Sequence, residues 1–178
     1  VEPQTETVWR QANTYQVPRI CFINKMDRVG ADFAYSVETI RNRLGANPVP
    51  VQLPIGSEDG FRGVVDLVTR QAFVWEDDEL GAKYSKQPVP EDMMDEVELA
   101  REKLLDAATQ YDDGLMEAVL EGGDPDPELI RQALPVGTLK LQIVPVLCGS
   151  AFRNKGVQPL LDAVLHYLPS PVDVPPVE

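Results

Sequence analysis

Two short apolar runs constrain this chain more than any other feature. Arg19 to Ile23 (Arg-Ile-Cys-Phe-Ile) and Ile143 to Cys148 (Ile-Val-Pro-Val-Leu-Cys) are almost continuously hydrophobic, end abruptly in a polar loop, and are each followed by a helix-patterned segment. A strand apolar on both faces suits a parallel sheet, and parallel neighbours need a long crossover between them. The runs are therefore expected to be neighbouring strands of one helix-flanked parallel sheet. Ligands of such open sheets bind outside the carboxyl ends of the strands. Pro145 places the second run at a strand end or a sheet edge.

Around these runs the spacing is helical. Pro3 to Tyr15 carries Val8, Trp9, Ala12 and Tyr15 on one face, with Pro3 suited to a first turn whose N–H groups lack partners. Val17-Pro18 breaks it. Asp32 is placed to cap a second helix with the stripe Phe33, Val37, Ile40 and Leu44, closed by Gly45. Val157 to Leu168 is predicted to be amphipathic, with Leu160, Leu161, Ala163, Val164, Leu165 and Leu168 apolar, before an extended linker from Pro169 to Pro176.

The middle has another texture. From about Pro48, Val49, Val51 and Leu53 alternate with Pro50, Gln52 and Pro54, Gly60 to Gly63 turn the chain, and Val64–Leu67 and Ala72–Trp75 read as short strands of a hairpin-rich patch. Met93, Val97, Ala100, Leu104, Ala108, Tyr111 and Leu115 then form one helical stripe. Gly114 is predicted to split it in two, Gly122-Gly123 to end it, and Asp126-Pro127 to start a short helix to Leu134. Charge divides the same way: residues 1–47 with 143–178 hold 8 acidic and 8 basic side chains, and residues 48–142 hold 21 and 8. A neutral α/β frame, 1–47 and 143–178, interrupted by an acidic α+β insertion, 48–142, is the expected organisation.

With 29 acidic against 16 basic residues, no direct nucleic-acid contact is expected, because phosphate neutralisation needs clustered Lys and Arg. No apolar run approaches the roughly 18 residues of a membrane span. Val1-Glu-Pro-Gln has neither the basic start nor the apolar stretch of a signal peptide, so a soluble, cytoplasmic protein is expected. The start without Met reads as a piece of a longer chain. Cys21 and Cys148 lie in the apolar runs as small hydrophobes, not a disulfide framework.

The chemistry lies at the two strand exits. Asn24-Lys25-Met26-Asp27 follows the first run directly. An ionised Asp27 presents two coplanar acceptors that match the adjacent ring N–H and exocyclic amine of guanine. Adenine would leave that carboxylate unpaired, which discriminates strongly. The stem of Lys25 can cover the base while its ammonium stays wet, and Asn24 can tie the loop to neighbouring backbone. Gly149-Ser150-Ala151 follows the second run; its small residues let backbone approach a planar ligand, and the Ala151 N–H is a candidate donor to the guanine carbonyl.

Asn-Lys-Met-Asp and Gly-Ser-Ala, the wording Ile-Cys-Phe-Ile-Asn-Lys-Met-Asp-Arg-Val-Gly-Ala-Asp-Phe, and Pro-Val-Leu-Cys-Gly-Ser-Ala-Phe-Arg-Asn-Lys-Gly-Val resemble the elongation factor G family of translational GTPases across essentially the whole chain. The resemblance implies part of a P-loop-type GTPase domain with its insertion subdomain, GTP and GDP as ligands, Mg²⁺ in the intact protein only, and the ribosome as partner. It places Asn24, Lys25 and Asp27 at the base, with Ser150, Ala151 and Phe152 in the loop that closes over it. Ribosomal-protection proteins and the GTP-dependent release factor share these elements, and a non-catalytic interaction module is the alternative from another class. No G-x-x-x-x-G-K-[ST] phosphate loop occurs in the chain, so this piece is expected not to hydrolyse GTP by itself. Asp27-Arg-Val-Gly30 and Asp78-Glu-Leu-Gly81 match D-x-x-G by coincidence.

Residues 91–121 hold eleven acidic side chains and two basic ones, Arg101 and Lys103. With the apolar stripe turned inward, the outer face, including Glu98, Glu102 and Asp106, should be negative; charge alone fits a face kept acidic for solubility, whereas the resemblance implies that the insertion contacts the stalk protein of the ribosome, which makes these three residues the expected docking face. His166, the sole histidine, is read as structural, and Trp9 and Trp75 as packed.

Overall fold

The first apolar run becomes β1 (Cys21–Ile23) and the second β7 (Val144–Cys148), paired in parallel with Cys21 opposite Val146 and Ile23 opposite Cys148. The computed structural model describes residues 1–76 and 83–173. The D-x-x-G match at 78–81, and Pro175-Pro176 of the linker, lie outside them. On the other side of β7 runs β2 (Pro48–Pro50), also parallel, with Val49 opposite Pro145. Val49 thus belongs to the parallel sheet and not to the hairpin patch. The sheets part at Val51, whose N–H donates to Val146 O at 3.0 Å and whose carbonyl accepts from Leu67 N at 3.0 Å.

β7 is therefore the central strand, although it carries Pro145. The Val144 N–H points to the β2 side, bonding Asn47 O, while the Gly149 N–H points to the β1 side, bonding Ile23 O. Alternation turns the proline nitrogen toward β1 at a level where β1 has not yet begun to pair, since its register starts at Val146. Pro145 is the second residue of β7, so the strand-end half of the expectation holds and the sheet-edge half does not.

Three helices flank this sheet. α1 (Pro3–Thr14) has Pro3 in its first turn, as its missing N–H allows, but buries none of its residues. Val8 is 63% and Tyr15 78% exposed. Trp9 is only half-buried and carries the Arg19 guanidinium 4.5 Å above its ring. β1 is half-buried because it is the sheet's edge, and an apolar groove opens between it, α1 and α2, lined by Val8, Phe22 and Ile40 among others. α2 (Phe33–Leu44) is capped by the Asp32 carboxylate, which accepts from Tyr35 N, and ends at Gly45 in the left-handed conformation, as its sequence predicts. α6 (Val157–Tyr167) buries Pro159, Ala163 and Tyr167, leaving Leu161, Val164 and Leu165 outward. Half of its six predicted apolar residues are thus exposed. The linker opens as a turn, with Ser170 N and Oγ both bonded to Asp173.

The second sheet is antiparallel: β3 (Gln52–Ile55), β4 (Gly63–Asp66), β5 (Gln71–Trp75) and β6 (Tyr84–Pro88) in that order. β6 (Tyr-Ser-Lys-Gln-Pro) shows no apolar alternation and is joined to the sheet's core chiefly through Tyr84, whose ring packs on Phe73 and Trp75. Against this sheet pack α3 (Met94–Ala108), α4 (Asp113–Leu120) and α5 (Pro127–Leu139). The break between α3 and α4 falls at 109–112 rather than at Gly114, because the Asp112 side chain caps Leu115 N and restarts the helix there. α5 passes through Pro135 to Leu139, held by burial of Gly137 and Thr138 beyond the proline. One apolar cluster joins Val49 and Leu147 of the parallel sheet to Val65, Leu104, Leu115 and Ile130 of the rest. Each of those fully buried aliphatic side chains contributes about 2 kcal/mol.

Candidate functional site

The parallel pairing of β1 with β7 brings the two predicted loops side by side, because both strands end at the same edge. Ile23 O receives the Gly149 N–H at 3.0 Å, and Gly149 O receives the Met26 N–H at 3.1 Å. Gly149 is required here: a Cβ would lie 2.4 Å from Lys155 O and 2.7 Å from the Phe22 ring. After Asn24 the backbone reverses through Lys25 at φ 61, a left-handed conformation uncommon for a side-chain-bearing residue. That reversal buries Met26, which is 1% exposed, and leaves Asn24 and Lys25 in solvent with Asp27 half-buried.

Asn24 stitches the loops together, its Oδ1 accepting from Ala151 N at 2.9 Å. This is the tie to neighbouring backbone expected of Asn24. It also engages the N–H expected to meet the guanine carbonyl, so in this conformation one proton cannot serve both roles. Ser150 is 1% exposed and bridges to Lys155 by reciprocal backbone bonds of 2.9 and 3.0 Å. Phe152 stands 95% exposed.

Asp27 is held below the usual carboxylate range, first by the Ser150 hydroxyl beside it and then, against the opposing effect of burial, by backbone and by Arg153. Among the described residues Ser150 Oγ has no partner of hydrogen-bonding geometry, so its influence is that of a nearby dipole rather than a formed bond. Arg153 Nε lies 3.1 Å from Asp27 Oδ2. Asp27 therefore stays ionised at neutral pH, with one oxygen lent to a guanidinium that is 59% exposed. Such a surface pair is worth at most about 1 kcal/mol and exchanges readily for a ligand's donors. Sequence reasoning missed Arg153 and also Glu58, whose N–H donates to Met26 O at 2.9 Å and whose Oε1 accepts from Gly30 N at 2.8 Å. Glu58 lies 31 positions beyond Asp27 in the chain, and no local pattern signals that contact.

The acidic face is separate. Glu98, Glu102 and Asp106 are exposed on α3 and line a groove together with Leu99, Leu105, Val119 and Arg70. Arg101 also touches this groove but does not present its charge there. It is 2% exposed and reaches inward, donating to Leu67 O, to Val68 O at 2.8 Å and to Asp124 Oδ1 at 2.9 Å. Arg70 pairs with both Glu98 and Asp124, so Glu98 is already partly neutralised. His166 is exposed on α6, and among the described residues no group of three or more His, Cys, Asp or Glu is placed to hold a metal ion. Among them, too, no helix is long and apolar enough to cross a membrane.

A family model described as the elongation factor Tu GTP binding domain matches residues 1–170. Among solved structures, a protein from Thermus thermophilus is similar at a TM-score of 0.83 and 29% identity, over 97% of this chain and 25% of that one. The chain thus spans about a quarter of the length of the solved protein it matches.

Proposed function

Because the chain belongs to the elongation factor Tu GTP binding domain family, we propose that it is the guanine-recognising part of a ribosome-dependent GTPase of the elongation factor G type, acting in translocation in the cytoplasm. The observation that supports this best is the junction of the two strand ends: Asn24 bonded to Ala151 N, with an ionised Asp27 alongside. Asp27 would pair with the ring N–H and amine of the base, displacing Arg153, and the stem of Lys25 would cover one face of the ring. Ser150, Ala151 and Phe152 supply the opposite wall. For the guanine carbonyl to receive the Ala151 N–H, Asn24 must release it on binding.

GTP and GDP are the ligands under this reading. Among the described residues no group of three or more His, Cys, Asp or Glu is placed to hold a metal ion, and under this reading Mg²⁺ and the hydrolytic chemistry are assigned to other residues of the intact factor. The chain alone is expected to turn over no GTP. The Glu98, Glu102 and Asp106 face, with its apolar groove, is proposed to dock the ribosomal stalk protein.

The test is Asp27→Asn in the intact factor. One acceptor becomes a donor, so GDP affinity should fall about a hundredfold, the loss of a charge-assisted bidentate pair, while xanthosine diphosphate gains. Unchanged affinity and selectivity would overturn the guanine reading.

A further inference from the structure

We infer that Glu58, on the connection between β3 and β4, is a positioning residue for guanine recognition; the inference rests on the reading above. Its backbone N–H holds Met26 O at 2.9 Å and its carboxylate holds Gly30 N at 2.8 Å, so the two anchors bracket Asp27 within the loop. The side chain of Met26 completes the grip, packed with Phe61, Val64 and Trp75 of the antiparallel sheet and its connecting loop. The base-recognition loop is therefore fastened on one side to Gly149 of the parallel frame and on the other to the inserted sheet.

The connecting loop is shaped for this. Gly56 sits at φ 77, where a Cβ would lie 2.1 Å from Gly60 O, so only glycine permits the fold-back. Glu58 itself adopts φ 53, a cost to a side-chain-bearing residue that persists where surroundings over-determine it. Glu58 N–H and carboxylate both point at the same loop from this conformation. A bidentate pair from Asp27 demands that its carboxylate plane be held to within roughly 0.5 Å of the productive position, and Glu58 supplies the restraint on the Gly30 side. The backbone bond to Met26 survives any side-chain change at position 58, so mutation isolates the carboxylate.

The experiment compares Glu58→Ala and Glu58→Gln with wild type in the intact factor, following release and association of fluorescent GDP by stopped flow. Glu58→Ala should release GDP about tenfold faster, because a loop no longer pre-ordered on the Gly30 side must be ordered by the bound base, with association changed less than about twofold. Glu58→Gln keeps an oxygen for Gly30 N and should stay within about threefold of wild type. Glu58 is exposed, so folding is not at stake, and a matching thermal melt verifies that. Amide exchange in the peptide spanning Gly30 should quicken in the alanine variant and recover in the glutamine one. If Asp27→Asn loses guanine selectivity but Glu58→Ala releases GDP at the wild-type rate, the positioning role alone is overturned. Equal acceleration in both Glu58 variants overturns it as well, because charge and not the bond would then be responsible. If Asp27→Asn keeps its selectivity, the guanine reading fails and takes this inference with it.

Discussion

Replacing Arg101 with methionine should destabilise the chain by about 3 kcal/mol. The guanidinium, 2% exposed, satisfies the carbonyls of Leu67 and Val68 at the turn between β4 and β5. Methionine keeps the aliphatic stem but donates nothing, leaving two inward carbonyls without partners at about 1–3 kcal/mol each. Release of a desolvated charge offsets part of this, the more so because Arg101 Nε already lacks a partner. Asp124 adds little: it is 59% exposed and can rehydrate when its partner goes. For a chain of this length each kcal/mol moves Tm by about 2–4 °C, so Tm should fall by about 6–12 °C. Urea unfolding followed by circular dichroism measures the change, and Asp124→Asn, expected to cost less than about 1 kcal/mol, is the control. A loss below about 1 kcal/mol for Arg101→Met, or an equal loss for both variants, would refute the claim that the carbonyl contacts carry the energy.

Asp66 is pushed above the ordinary carboxylate range by burial, against the hydrogen bonds it accepts from Val68 N and the Thr69 hydroxyl. Its raised folded value means that the stability it supports is present below the unfolded pKa and is lost as pH rises through the folded one. Asp66→Asn should therefore be more stable than wild type at pH 7, and the difference should shrink as urea midpoints are taken at falling pH; a difference that grows on acidification contradicts this. On the acidic face, reversing charge at Glu98, Glu102 and Asp106 should slow ribosome-stimulated turnover by the intact factor at low salt while leaving GDP affinity unchanged. The gap should close as salt screens charges beyond about 8–10 Å. Turnover untouched at every salt concentration would return this face to a solubility role.

Local chemistry made part of the molecule legible in advance. The two apolar runs are β1 and β7, the loops at their ends carry Asn24, Asp27 and Ser150, and Asp32 and Gly45 bound α2 as their residue types require. Such features are encoded within a few residues: an apolar period, a capping carboxylate, a glycine that tolerates positive φ. Other features depend on which of several permissible surfaces meets a partner. α6 offers apolar residues on more than one side, and only packing selected Pro159, Ala163 and Tyr167 over Leu161 and Leu165. Pro145 reads as a strand-end or edge residue, and only the pairing shows which: it sits at the start of the central strand, its nitrogen turned to a stretch where β1 does not pair. Arg101 lies one helical turn from buried Val97 and Leu104 and looks like part of a charged face; its burial follows from carbonyls that β4 and the turn after it present more than thirty residues away in sequence. Glu58 meets the loop around Asp27 for the same reason. Periodicity and capping are properties of neighbours in the chain, whereas register, face and long-range hydrogen bonds are chosen by the whole fold competing for one core.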